Sequence, residues 1–167
     1  MIQNSELKIK NLRIIADDLG LTKSVNDGII FLLKKGKISG ASLMANGEAF
    51  DDAVEKIKIF PDANVGIHFV LVEEKPLVLK SLSKNHKTFF IKYILGQVNL
   101  KDIEKELRAQ LNKCVQAGIK PSFINSHQHL HLLPAIANIV IKLAKEFNIF
   151  YVMDGAISSI FPSHSIQ

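Results

Sequence analysis

Cysteine is almost missing from this sequence: Cys114 is the single one in 167 residues. One thiol excludes a disulfide within the chain and suits a reducing compartment. Its place in the spacing Ile103, Leu107, Leu111, Cys114, Val115 reads as a small residue on the buried side of a helix. Long apolar runs are missing as well. The opening MIQNSELKIKN has no stretch of signal-peptide length, and no run approaches the roughly twenty apolar residues of a membrane span. A cytoplasmic protein with no membrane partner is therefore expected. A basic stripe is absent too: the net charge is +5, from 21 basic and 16 acidic residues. The lysines alternate with acids in EKIK and KDIEKELRAQLNK, as on solvated helix faces, so no nucleic-acid partner is expected. No GxGxxG, P-loop or GxSxG motif is present to suggest dinucleotide, nucleotide or serine-hydrolase chemistry.

What remains has the balance of a globular protein, 47% hydrophobic and 22% charged, in a length that suits one domain over residues 1–167. Short apolar runs at 12–16, 38–47, 64–72, 121–126 and 149–154 read as strands. Between them, helical spacing covers 24–36, 48–60, 100–118 and 134–148. Ser24 is the expected cap of the first helix, and glycine stops it at Gly36. The segment 73–99 is too long for a structureless connection and is expected to be functional or locally folded. Strand–helix alternation with strands apolar on both faces predicts an α/β fold with a parallel sheet and right-handed crossovers. A closed eight-stranded barrel needs about 250 residues, so any barrel here is expected to be incomplete. The last dozen residues, AISSIFPSHSIQ, read as a frayed end.

In parallel α/β folds, functional groups collect at the carboxyl ends of the strands. The unusual polar residues fall there: Asp17 and Asp18 close the first strand, and Asn46 the second. His68 lies toward the end of the third, and His127 follows the fourth directly. Adjacent residues of a strand face opposite ways, so Asp17 and Asp18 reach one centre only where the chain turns. One could then bind a cation while the other accepts a proton. The stretch FINSHQHLH offers two geometries. Extended, His127, His129 and His131 share a face; helical, His127 and His131 become i, i+4 neighbours. Aspartate with two histidines and an open position describes a hydrolytic or oxygenase-type metal centre.

Four stretches, IIADDLGLTKSVNDGII, SLMANG, VGIHFVLVEEKPL and INSHQHLHLLP, resemble in order the YdjC-like carbohydrate deacetylases, whose best-known members act on chitooligosaccharides. The resemblance runs from about residue 12 to about residue 150. It implies a (β/α) barrel-like fold of the polysaccharide-deacetylase type, here with about five strands and without the C-terminal part. It also implies a metal-dependent hydrolase that removes N-acetyl groups from short amino-sugar oligosaccharides such as chitobiose. By motif, Asp18, His68 and His127 correspond to the metal ligands and Asp17 to the general base. Asn46 and Phe69 are the expected substrate contacts. The chain departs from the pattern at Asn125, where the family usually has aspartate, so a charge that would orient a histidine is expected to be missing, and it lacks the C-terminal histidine–proline segment to which the general acid is ascribed. His129 or His131 is expected to replace that acid, or to line the pocket and support the ligands, with His86 and His164 as further alternatives for the acid. Ligand type alone does not separate zinc from magnesium, although two imidazoles favour zinc or a transition metal. An open sheet edge predicts a homodimer. The competing reading is an inactive relative that binds sugar or metal.

Overall fold

A helix that returns a strand's chain to the same end of the sheet makes the next strand parallel to the last. The chain does this repeatedly through β1 (Ile15–Leu19), α1 (Lys23–Lys34), β2 (Gly40–Leu43), α2 (Phe50–Ile57) and β3 (Asn64–Phe69). Then follow α3 (His86–Ile94), α4 (Leu100–Gln116), β4 (Ile124–Ser126) and α5 (Pro134–Glu146). The computed structural model describes residues 13–149 and Val152. Within it the strands form one parallel sheet in the order β1-β2-β3-β4. Each new strand joins the same side, which is the winding of a (β/α) barrel wall. Val152 continues it with a parallel bridge to Ile124. The rest of the expected fifth strand and the stretches MIQNSELKIKN and AISSIFPSHSIQ lie outside the described residues.

Every residue of β2 is buried, and Ile67 and Phe69 of β3 enter the same core as Ile124 of β4. The spaced apolar residues close it from the helices: Phe50, Val54 and Ile57 of α2, and Ile103, Leu107, Leu111 and Cys114 of α4. Val115, expected on that face, is exposed, because it is adjacent to Cys114 and one step round the helix turns it outward. Burial pushes the Cys114 thiol up to about 12, which makes it an inert core residue.

Helix ends follow sequence chemistry with one correction. Thr22, not Ser24, caps α1, its Oγ1 accepting from the Val25 N–H at 3.3 Å. α1 stops where Gly36 takes φ +61°, with the Lys37 N–H reaching back to the Leu32 carbonyl. The segment 73–99 is locally folded: it holds α3, and Val72 bridges Ser83. Among the described residues no helix is long and apolar enough to cross a membrane.

Candidate active site

The β1–α1 and β2–α2 loops touch at the carboxyl end of the sheet. A Cβ on Gly47 would meet the Gly20 carbonyl oxygen at 2.2 Å, so only glycine allows this approach. Fully buried Asn26 fastens the two loops. Its Oδ1 accepts from the Gly20 N–H at 2.7 Å, and its Nδ2 donates to the Ala49 carbonyl at 3.0 Å and to Asp52 at 2.8 Å.

Beside this junction the two aspartates lie near the end of β1, as expected of residues that close the strand. β1 runs past the apolar run to Leu19 through a register shift between Ala16 and Leu19, where Asp18 adopts φ +63°. A bulge with one left-handed residue breaks the two-residue alternation, and both carboxylates then approach the same histidine. Asp18 Oδ1 is 3.1 Å from His68 Nε2, and Asp17 Oδ1 is 3.8 Å from His68 Nδ1.

His68 is the penultimate residue of β3 and nearly wholly buried. Its Nδ1–H donates to Asn125 Oδ1 at 2.7 Å and reaches Ser42 Oγ at 3.2 Å. Ser42 and the Asn125 amide then donate to Asp17 Oδ1, at 2.7 and 2.8 Å. The amide of Asn125 therefore performs the orienting contact that the sequence led us to expect was lost. These contacts turn His68 Nε2 toward Asp18.

His127 follows β4 directly, and its geometry corrects both expectations for FINSHQHLH. The run is neither extended nor a regular helix. It is a 3₁₀ segment, His127–Leu132, kinked where Gln128 and His129 both take left-handed conformations at φ +57° and +53°. The buried Ser126 hydroxyl fixes the kink by accepting from the His131 N–H at 3.1 Å and by pairing with His131 Nδ1 at 2.6 Å. This turns His131 into the interior, 1% exposed, and leaves His129 at the surface. The two rings are 6.4 Å apart, centroid to centroid. His127 is held between two carboxylates, Nδ1 3.0 Å from Asp18 Oδ1 and Nε2 3.1 Å from Glu73 Oε2. Those carboxylates, Asp18 first, raise its pKa from 6.5 to about 9. His127 and His68 in turn hold the Asp18 carboxyl well below its ordinary range.

Asp18, His68 and His127 thus offer three ligand atoms within 4.8 Å of one another. The donor set fits a divalent cation: each imidazole has one nitrogen committed to an orienting acceptor and the other turned to the same carboxylate. Two expected substrate contacts fall differently. Phe69 is a core residue, 1% exposed. Asn46, three residues past β2, donates from Nδ2 to the Lys75 carbonyl at 2.9 Å, while its buried Oδ1 has no hydrogen-bond partner among the described residues. Sequence reasoning missed Glu73 and Ser42. Glu73 was detectable as the first charged residue after the run VGIHFVLV, at the carboxyl edge of a strand; Ser42 looks like any small strand residue.

The family model for YdjC-like protein matches residues 11–163. The chain belongs to the YdjC-like family. Among its relatives, a carbohydrate deacetylase of Brevibacillus brevis is 41% identical, the match covering 83% of this chain and 57% of that protein. A carbohydrate deacetylase of Oceanobacillus iheyensis is 38% identical, covering 83% and 62%. A chitooligosaccharide deacetylase of Escherichia fergusonii is 35% identical, covering 86% and 59%. This YdjC-like chain therefore spans less than two thirds of the length of these relatives. A solved structure from Enterococcus faecalis V583, described as a candidate cellobiose-phosphate cleavage protein, superposes with a TM-score of 0.74 at 24% identity. It covers 83% of this chain and 57% of the other, and it establishes the shared fold.

Proposed function

We propose that this chain carries the metal-binding side of a carbohydrate N-deacetylase site, acting on short N-acetylated amino-sugar oligosaccharides such as chitobiose. The observation that carries the reading is the convergence of Asp18, His68 and His127 beside a separately tethered Asp17, in a chain related to carbohydrate deacetylases. Asp18, His68 and His127 would hold a divalent cation, zinc or a transition metal in preference to magnesium, which supplies Lewis acidity toward an amide carbonyl. Asp17 is the general base. Two donors fix its Oδ1, and the half-exposed side chain presents its second oxygen to take a proton from the attacking water. Breaking the acetamide C–N bond also requires a proton for the departing amine. His129, exposed on the left-handed turn, is the proposed acid, whereas His131 is buried. Asn46, which donates to the Lys75 carbonyl, is the proposed substrate contact, whereas Phe69 belongs to the core.

The reading further proposes a single domain over residues 1–167, a cytoplasmic location and a homodimer across the open side of the sheet. β1 pairs on one side only among the described residues, and open strand edges invite pairing. Solution scattering at increasing concentration checks the last point. The main test is acetate release from di-N-acetylchitobiose with added divalent cations, with Asp17→Asn as the comparison. Release that Asp17→Asn abolishes supports the reading. Cation binding without release would favour an inactive binding module.

A further inference from the structure

Glu106 is a carboxylate with no exposed surface, carried on the inner face of α4. Among the described residues no cation contacts it. It accepts instead from three consecutive backbone N–H groups: Leu77 at 2.8 Å, Val78 at 2.9 Å and Leu79 at 3.3 Å. Gln110, one turn later and also fully buried, donates to Glu106 at 3.0 Å and clamps Val70 at both its N–H (3.0 Å) and its carbonyl (2.8 Å). A buried carboxylate is costly unless its oxygens are satisfied. Here every partner is backbone of one segment or the adjacent amide. Between the two clamped stretches lies Glu73, held at φ +73° with its N–H on the Ser83 carbonyl at 3.0 Å. Asn46 adds a tether at Lys75. The segment 70–83 is therefore a strap fastened to α4 on both sides of Glu73, the residue that faces His127 Nε2 at 3.1 Å.

We propose that Glu106 is a positioning residue of the metal site: by gathering the Leu77–Leu79 amides it holds the strap so that Glu73 keeps His127 turned with Nδ1 toward Asp18. The proposal rests on the deacetylase reading only where cation affinity is its measure. Glu73 stands in a left-handed conformation that a non-glycine residue keeps only when its surroundings enforce it, and the α4 clamp is that enforcement. Glu104, on the outer face of the same helix and paired with Arg108 and Lys142, makes no hydrogen bond or ion pair with the strap among the described residues.

The test uses the whole chain, with Glu106→Gln, Glu73→Gln and, as control, Glu104→Gln. Two quantities are read: the exchange rate of the His127 Nε2–H proton by NMR without metal, and the affinity for Zn²⁺ by calorimetry. Orienting partners of a ligand histidine are worth about 10–100-fold in affinity. Glu106→Gln and Glu73→Gln are therefore both expected to weaken Zn²⁺ binding by about tenfold or more and to speed the Nε2–H exchange, while Glu104→Gln changes neither. A folded Glu106→Gln protein with both quantities at wild-type values overturns the proposal. If Glu106→Gln does not fold, native-state hydrogen exchange of the wild type decides. The Leu77–Leu79 amides and the His127 Nε2–H must then open with one common protection factor, and loss of the ring proton under full protection of those amides overturns it. The exchange arms need no metal and no activity. A wild type that releases no acetate, with these arms as expected, would defeat the deacetylase reading and leave the strap standing.

Discussion

His68 and His127 offer nitrogens to the same carboxylate, yet the fold holds them by opposite means. His68 is 4% exposed, lies inside a parallel ladder, and is oriented by the neutral groups of Asn125 and Ser42. His127 is 17% exposed, begins a left-handed turn, and is oriented by two carboxylates, one of them on a strap from elsewhere in the chain. The rings meet edge to face, 5.6 Å between centroids and 80° between planes. The comparison separates two ways of presetting a ligand. Strand register places His68, because His68 pairs with Asn125 and a slip would move it to the other face. Charge and tethers place His127, so its position depends on pH and on the integrity of distant hydrogen bonds.

Removing Asp17, the proposed base, should have the largest effect and spare both histidines. Asp17→Asn is expected to lower kcat about 10²–10⁴-fold while Zn²⁺ affinity stays close to wild type, measured by acetate release and calorimetry. Loss of both together would mean that Asp17 is a ligand and the comparison is incomplete. Next comes Asn125→Ala, which strips the neutral partner from His68 and one donor from Asp17. A drop of about 10–100-fold in Zn²⁺ affinity is expected, with little dependence on pH.

The charged partner behaves differently. A cation must displace the proton of His127, whose pKa stands at about 9. Apparent Zn²⁺ affinity should therefore rise with pH up to about 9 and flatten above it, with proton release on binding. In the metal-free protein the sign is reversed. The folded pKa of His127 exceeds the unfolded value of 6.5, so the stability it contributes is full below 6.5 and is lost as pH rises through about 9. Glu73→Gln should shrink both dependences, which urea unfolding at several pH values checks. The smallest effect is expected from Glu104→Gln, whose partners Arg108 and Lys142 form a surface network on α4 and α5; affinity and its pH profile should not change.

The comparison also marks what could be read from the sequence. The parallel fold and the set Asp17, Asp18, His68 and His127 were legible, because strand–helix alternation places strand ends together and these are the polar residues found there. The features that aim them were not. The bulge at Asp18, the double left-handed turn at Gln128 and His129, and the positive φ of Glu73 all occur without glycine, so no local signal marks them. Tertiary contacts enforce them: Ser126 on His131, and Glu106 on the strap. Asn125 looked like the loss of an orienting charge. In place it accepts from His68 with one end of its amide and donates to Asp17 with the other, which a carboxylate could do only if protonated.

The most direct test of the central claim, that Asp18, His68 and His127 form one cation site, is a calorimetric titration of the metal-free protein with Zn²⁺, run beside His68→Ala in buffers of different ionisation enthalpy. The account predicts one ion per chain with proton release in the wild type, and no measurable binding in the variant. Equal binding by both proteins, or none by a folded wild type, would contradict it.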